Sequence, residues 1–301
     1  AGVRACLMAP LTGNRRWLDA STQLRANSWM LMTGSLGMVA STLPVQWLVP
    51  LLGWRPLFWG LAAAIVLAMA LIAVRVPGWT SMAPASGSSP GADASYAQVW
   101  RNAYFRRMTP IGFFSYGGLI AMQTLWAVPW MIKVAGYSGE QAAKGLFWIN
   151  VAMLCTFWTW GMVNPWLVRR GFSAERLITW GLPSSFVLLA IVIAAGDDLS
   201  TLATPAFALY CMSCSFVSLA QPAVGMAFPQ ALAGRALSAY NLVIFAGVFV
   251  VQWGIGLLID GFKALGVAEV AAYQAAAGVF LACCVSSYVY FLWAKPHNQG
   301  S

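Results

Sequence analysis

Long apolar runs, interrupted by short polar gaps, set the pattern of this chain. A membrane-crossing helix needs about 20 mainly apolar residues. Eight stretches meet that requirement: roughly 25–51, 57–75, 109–133, 145–168, 177–195, 201–228, 237–259 and 270–294. Their length argues against buried strands. The polar residues within them are mostly Ser, Thr, Asn and Gln, which helices in lipid tolerate. A ninth run, from Ala1 to about Leu11, is too short to cross and is expected to be the tail of a helix that begins upstream. The pattern therefore predicts an all-α polytopic membrane protein with eight full spans plus one partial.

Composition agrees. Hydrophobic residues make up 60% of the chain and charged residues 8%, against about 25% in a soluble domain. The net charge is +9, but the cations fall in the gaps between apolar runs. Nucleic-acid binding would need them gathered on one exposed face, so the lipid bilayer, not nucleic acid, is the expected partner. Twelve of the seventeen cations lie in one set of alternate connections: Arg15, Arg16, Arg25, Arg75, Arg101, Arg106, Arg107, Arg169, Arg170, Arg176, Arg235 and Lys295. The opposite set holds four, Arg55, Lys133, Lys144 and Lys263. The Lys/Arg-rich side faces the cytoplasm, so an inner or plasma membrane with a cytoplasmic C-terminus is expected. The six cysteines lie within apolar segments and read as small buried hydrophobes.

The longest gap, PGWTSMAPASGSSPGADAS, has the composition of a flexible linker. It leads into YAQVWRNAYFRRM, where Tyr96, Val99, Ala103 and Phe105 or Met108 recur at helical spacing beside Arg101, Arg106 and Arg107. That pattern predicts a short interfacial helix on the inner leaflet. Six spans follow it and two precede it.

Three loop stretches carry a family resemblance. GMVNPWLVRRGF resembles the G-x-x-x-D-R-x-G-R-R loop of the major facilitator superfamily, with Gly161, Arg169 and Arg170 matching and Pro165 where the family has Asp. PQALAGRALSAYN resembles the family's G-R-A-L-x-x-x-N helix entry through Gly234, Arg235, Ala236, Leu237 and Asn241. GWRPLFWGLA is similar to a G-W-R-x-x-F turn before the family's sixth helix. The resemblance implies two helical bundles around a central cavity. It makes residues 1–76 a remnant of the N-terminal bundle, 77–108 the cytoplasmic linker with its interfacial helix, and 109–301 the C-terminal six-helix bundle with a short tail. On this alignment the chain corresponds to helices 4 to 12, and the first three and a half helices are expected upstream. The implied function is transport by alternating access. In the fifth helix the spacing of Gly34, Gly37 and Pro44 departs from the family's antiporter stretch. Gly34, Gly37 and Ser41 form a small-residue stripe that predicts close helix contact.

The chemistry-bearing residues are sparse. The single histidine, His297, lies in the polar tail, no metal-ligand cluster or nucleotide fingerprint is present, and no cofactor is implied. Cys211 and Cys214 form a C-x-x-C inside an apolar helix, which reads as packing. An enzyme is not indicated. Arg4 sits twelve residues before Arg16, about 18 Å along a helix and near mid-membrane. Two readings of it stay open: it attracts an anionic solute or pairs with a carboxylate, or it snorkels from a shallower position. Gln123 with Trp126 lies near the middle of its span, and Asn150, Gln221, Asn241 and Gln252 are the other candidate in-span amides. The resemblance places them on helices that line the cavity, while interhelical hydrogen bonding at about 0.6 kcal/mol each is the structural alternative. None of the eight acidic residues lies mid-span, so an in-membrane proton relay is not visible. These features point to a transporter of a small polar or anionic solute, with a coupling ion an open partner. The alternative is a membrane regulatory protein on the same scaffold that binds without transporting.

Overall fold

The structure, a computed structural model, describes residues 20–75 and 96–294. The expected helix remnant with Arg4 and Arg16, most of the linker, and the tail with His297 lie outside the described residues. Among those described there is helix and no strand, as a chain without water to satisfy its backbone requires. Helices α1 (Ala20–Ala40) and α2 (Leu43–Leu52) meet at a break and are bent by 42° to one another. Helix α3 (Trp54–Arg75) follows, then the short α4 (Tyr96–Arg101). Helix α5 (Ala103–Lys133) is a continuous run, followed by α6 (Gly139–Arg169) and α7 (Ala174–Ala195). Helix α8 covers 203–226, and α9 (Gln230–Ala264) and α10 (Glu269–Trp293) complete the chain.

Six helical runs are long and apolar enough to cross a bilayer, or seven with the bent pair taken as one. One of them, Ala174–Met226, is 53 residues long. Gly196 (φ 50°) and Ser200 (φ 38°) turn it back on itself, and Gly196 is free to take that conformation because it has no Cβ. The two halves lie antiparallel: Gly181 faces Phe216, and Cys214 reaches Ser185. The run therefore supplies two crossings, and each of the eight apolar stretches of the sequence lies on helix.

Local signals set the ends. Ser138 opens α6 with a reciprocal capping box to Gln141, and Ser173 opens α7 by accepting from the Arg176 N–H. Gly171, at φ 79°, closes α6 in the left-handed conformation that a helix C-terminus favours. Contacts between helix ends follow the expected alternation. Arg107 at the start of α5 bonds to Glu175 at the start of α7 and to the Phe291 carbonyl at the end of α10. Glu269, opening α10, lies 3.5 Å from Lys133 and 3.6 Å from Lys263 at the far ends of α5 and α9.

The core lies among α5 to α10. Helices α5 and α9 cross with almost no gap, since a Cβ on Gly247 would stand 2.1 Å from the Phe113 carbonyl oxygen and one on Gly117 would stand 2.8 Å from the Ile244 oxygen. Such backbone approach is how helices associate in lipid. The predicted stripe on α1 makes no such approach among the described residues: a Cβ on Gly34 or Gly37 would meet none of them within 4 Å. The helix packs on α6 by its other side, where Ser35 is buried. Helix α3 has no buried residue from Trp54 to Val74 and packs against α2.

Helix α5 carries two π-helical turns, Ile111–Tyr116 and Met122–Trp126. In each the N–H reaches five residues back, Gly117 to Gly112 and Ala127 to Met122. The first leaves carbonyls that take outside donors: the Cys214 thiol reaches the Ser115 oxygen at 3.6 Å, and Cys284 reaches Phe114 at 3.5 Å. Both cysteines are buried.

Candidate functional site

The second π turn of α5 carries Gln123 and Trp126 and lies in the second half of the helix, toward its Lys133 end. Gln123 is buried, and its Nε2 donates to Asn150 Oδ1 of α6 at 2.7 Å. The same nitrogen lies 3.8 Å from the Met38 sulfur of α1. Trp126 donates its indole N–H to the Gln252 backbone carbonyl of α9 at 3.1 Å, and its ring stands edge-on to Tyr273 of α10 at 6.3 Å. The Gln252 side chain donates to Thr124 Oγ1 at 3.1 Å. Four of the amide and indole residues named from the sequence thus gather around this turn as two hydrogen-bonded groups, Gln123 with Asn150, and Trp126 with Gln252, the latter joined by Thr124, which the sequence reading did not select.

This cluster has hydrogen-bonding capacity to spare. A carboxamide offers two donors and an acceptor, and Gln123 uses its nitrogen on Asn150 while its oxygen and the Asn150 nitrogen bond to no described residue. Thr124 is exposed and Gln252 half-buried, so the cluster reaches an accessible surface. No acidic or basic side chain joins it. Among the described residues, no group of three or more metal-ligating side chains converges anywhere.

The remaining sequence candidates stand apart. Asn241 is buried, but it precedes Gln252 by eleven residues of α9, about 16 Å along the axis. Gln221 lies on α8, half-buried, with its Nε2 enclosed and unbonded. In the loop motifs, Gly161 is buried inside α6, whereas Arg169 and Arg170 are exposed at its end, Arg170 resting 4.1 Å over Trp166. Gly234 is exposed and Arg235 half-buried at the start of α9. Arg4 lies outside the described residues.

Sequence reasoning missed one buried group. Arg107, read as interfacial charge beside Arg101 and Arg106, is 4% exposed. It donates to Glu175 at 2.5 Å and to the Phe291 carbonyl at 2.8 Å, with its guanidinium 4.3 Å over the Phe291 ring. The available signal was spacing: Arg107 falls one helical turn before the apolar Ile111 and beside Met108, on the face that α5 buries.

Comparison with known proteins addresses the architecture. The chain matches the sequence model of the Major Facilitator Superfamily over residues 2–252. It belongs to that superfamily. The crystal structure of the superfamily transporter FucP in its outward conformation matches with a TM-score of 0.69 at 14% identity, covering 98% of this chain and 72% of FucP. A second structure, the E. coli fucose:proton symporter FucP in a substituted form, gives 0.61 at 15% identity over 93% of this chain and 70% of that one. At such identity these matches describe the superfamily fold. No curated protein matches the sequence.

Proposed function

We propose that this superfamily member moves a small polar solute across an inner or plasma membrane by alternating access, and that Gln123, Asn150, Trp126, Gln252 and Thr124 form the polar part of its binding site. The observation that carries this reading is the Gln123–Asn150 pair, buried within the span and bonded at 2.7 Å, with an amide oxygen and an amide nitrogen that bond to no other described residue. A hydroxylated solute supplies the missing partners, and the Trp126 ring supplies an apolar face beside them. Met38 touches Gln123 from α1, so the cluster draws on helices from both sides of the linker. The domain division at 77–108 and the cavity lining fit this arrangement.

The described cluster is uncharged, which favours a neutral polyhydroxylated solute; an anionic solute would draw on Arg4. FucP is a fucose:proton symporter, so monosaccharides and polyols are the first solutes to test, with a proton gradient as the first coupling ion. The Lys/Arg bias supports a cytoplasmic C-terminus, and with it a cytoplasmic position for Arg169, Arg170, Gly234 and Arg235 at the ends of α6 and α9, with Gly161 two turns further in.

The deciding experiment reconstitutes the full-length protein in vesicles and measures uptake of labelled monosaccharides, polyols and small carboxylates, with and without a proton gradient. Uptake that falls on Gln123→Ala supports the reading. Saturable binding without flux favours the regulatory alternative, and flux indifferent to Gln123→Ala and Asn150→Ala removes the cluster from the site.

A further inference from the structure

A second polar feature lies far from that cluster. Where α5 and α7 begin and α6 and α8 end, a crevice of about 620 Å3 opens among the four helices. Its size is that of a small-molecule site, about 300–1,000 Å3. The walls are mainly apolar, with Leu177, Leu219, Ala223 and Met226 prominent. Two wall residues at the mouth, Val168 and Met226, are 51% and 53% exposed, so the trough opens outward and not into the helical core.

One wall residue does not belong in an apolar trough. Asn164 of α6 is 6% exposed, lines the crevice, and bonds to no described residue. Its carboxamide offers two donors and an acceptor, and an occupant of the crevice can take them up. The acidic residue of the wall, Glu175, is already held by Arg107 at 2.5 Å and by the Tyr104 hydroxyl. The rim is cationic. Arg169, Arg170 and Arg176 are exposed within a few residues of the lining Val168, Phe172 and Leu177, and Arg176 rests 5.3 Å from the Phe172 ring. Asn164 lies five residues inside Arg169 on one helix, about 7.5 Å deeper. That is the depth at which the headgroup region gives way to acyl chains, about 5–10 Å in.

We propose that this crevice is a built site for one anionic glycerophospholipid, with its phosphate among Arg169, Arg170 and Arg176, an ester carbonyl accepting from Asn164, and an acyl chain along the trough. A cation alone would draw any anionic lipid to the surface; the buried amide at ester depth and the adjoining trough select a particular pose. The site is independent of the solute-binding cluster, and its test reads lipid binding, not transport.

The test takes the full-length protein in phosphatidylcholine nanodiscs containing phosphatidylglycerol and counts the lipids retained by native mass spectrometry. Several-fold preferential retention of one phosphatidylglycerol is expected. Replacing the three arginines with Gln together should abolish the preference. Asn164→Leu, which keeps the rim, and Ala223→Trp, which fills the trough, should each lower retention severalfold while circular dichroism confirms helix content. Equal retention of the two lipids by the unaltered protein overturns the proposal. So does a preference that the arginines alone control, because charge at the surface then accounts for it without the crevice. If both Asn164→Leu and Ala223→Trp lose their helix content, phosphatidylglycerol protection of the unaltered protein against heat decides: a rise in Tm absent with phosphatidylcholine supports the site, and no rise overturns it.

Discussion

Gln123 and Asn150 pose the sharpest question that single residues can answer. Their hydrogen bond is worth about 0.6 kcal/mol if it behaves like the average in-membrane pair. Its value for function is larger if the pair greets a solute. A double-mutant cycle over Gln123→Leu and Asn150→Leu should return a coupling of about 0.6–1.7 kcal/mol in stability. Either single change should raise the KM for the transported solute about fivefold to tenfold, the equivalent of about 1–1.4 kcal/mol. Uptake kinetics and unfolding midpoints check the two halves separately. Arg107 tests the opposite case, a charge held for the fold. Breaking a buried pair costs about 3–5 kcal/mol, and Glu175, with a side chain 35% exposed, recovers part of that by hydration. Arg107→Ala should therefore lower stability by about 2–3 kcal/mol and leave KM unchanged. Glu175→Gln should also lower stability, because it leaves the buried guanidinium with the Phe291 carbonyl but no counter-charge.

Among the elements, the crossing of α5 and α9 sets the tightest tolerance. Gly247→Ala would drive a methyl group to 2.1 Å from the backbone oxygen of Phe113, which cannot rotate away. Overpacking of this kind costs about 1–3 kcal/mol or more. Gly254 on the same helix has open space around its Cβ position, so Gly254→Ala should be neutral or raise stability by up to about 1 kcal/mol. Thermal unfolding in detergent separates the two. The helices themselves were legible as apolar length, because a backbone in lipid has few alternatives. Helix faces were less so. The stripe at Gly34 and Gly37 looked like a contact surface and approaches no other described residue, since small residues allow close approach without compelling it. Arg107 looked exposed because it stands beside two arginines that are. The amide cluster was half legible: Gln123, Trp126, Asn150 and Gln252 were picked out as polar residues in apolar helices, but which of them meet depends on helix rotation, which no single helix encodes.

For the whole molecule, the serpentine path places successive connections at opposite ends, and the two ion-pair groups at those ends agree with it. Sidedness is then a single binary choice, which the Lys/Arg bias resolves. Ser138 and Ser173, both exposed and at opposite ends of α6, report it. With the native cysteines replaced, Ser173→Cys should react with a membrane-impermeant maleimide only in inverted vesicles, and Ser138→Cys only in right-side-out ones. The reverse result would turn the topology over. The π turns of α5 reach further, into how this span is compared with others. Each π turn accommodates one residue more than α-helix needs, which swings everything after it by about 100°. A relative with an unbroken helix here would be one residue shorter for each turn it lacks. The gap in an alignment then belongs inside the membrane span, between Ile111 and Tyr116 or between Met122 and Trp126. Deletion scanning read out by folding, not by transport, should find these two short windows more forgiving than the helix around them.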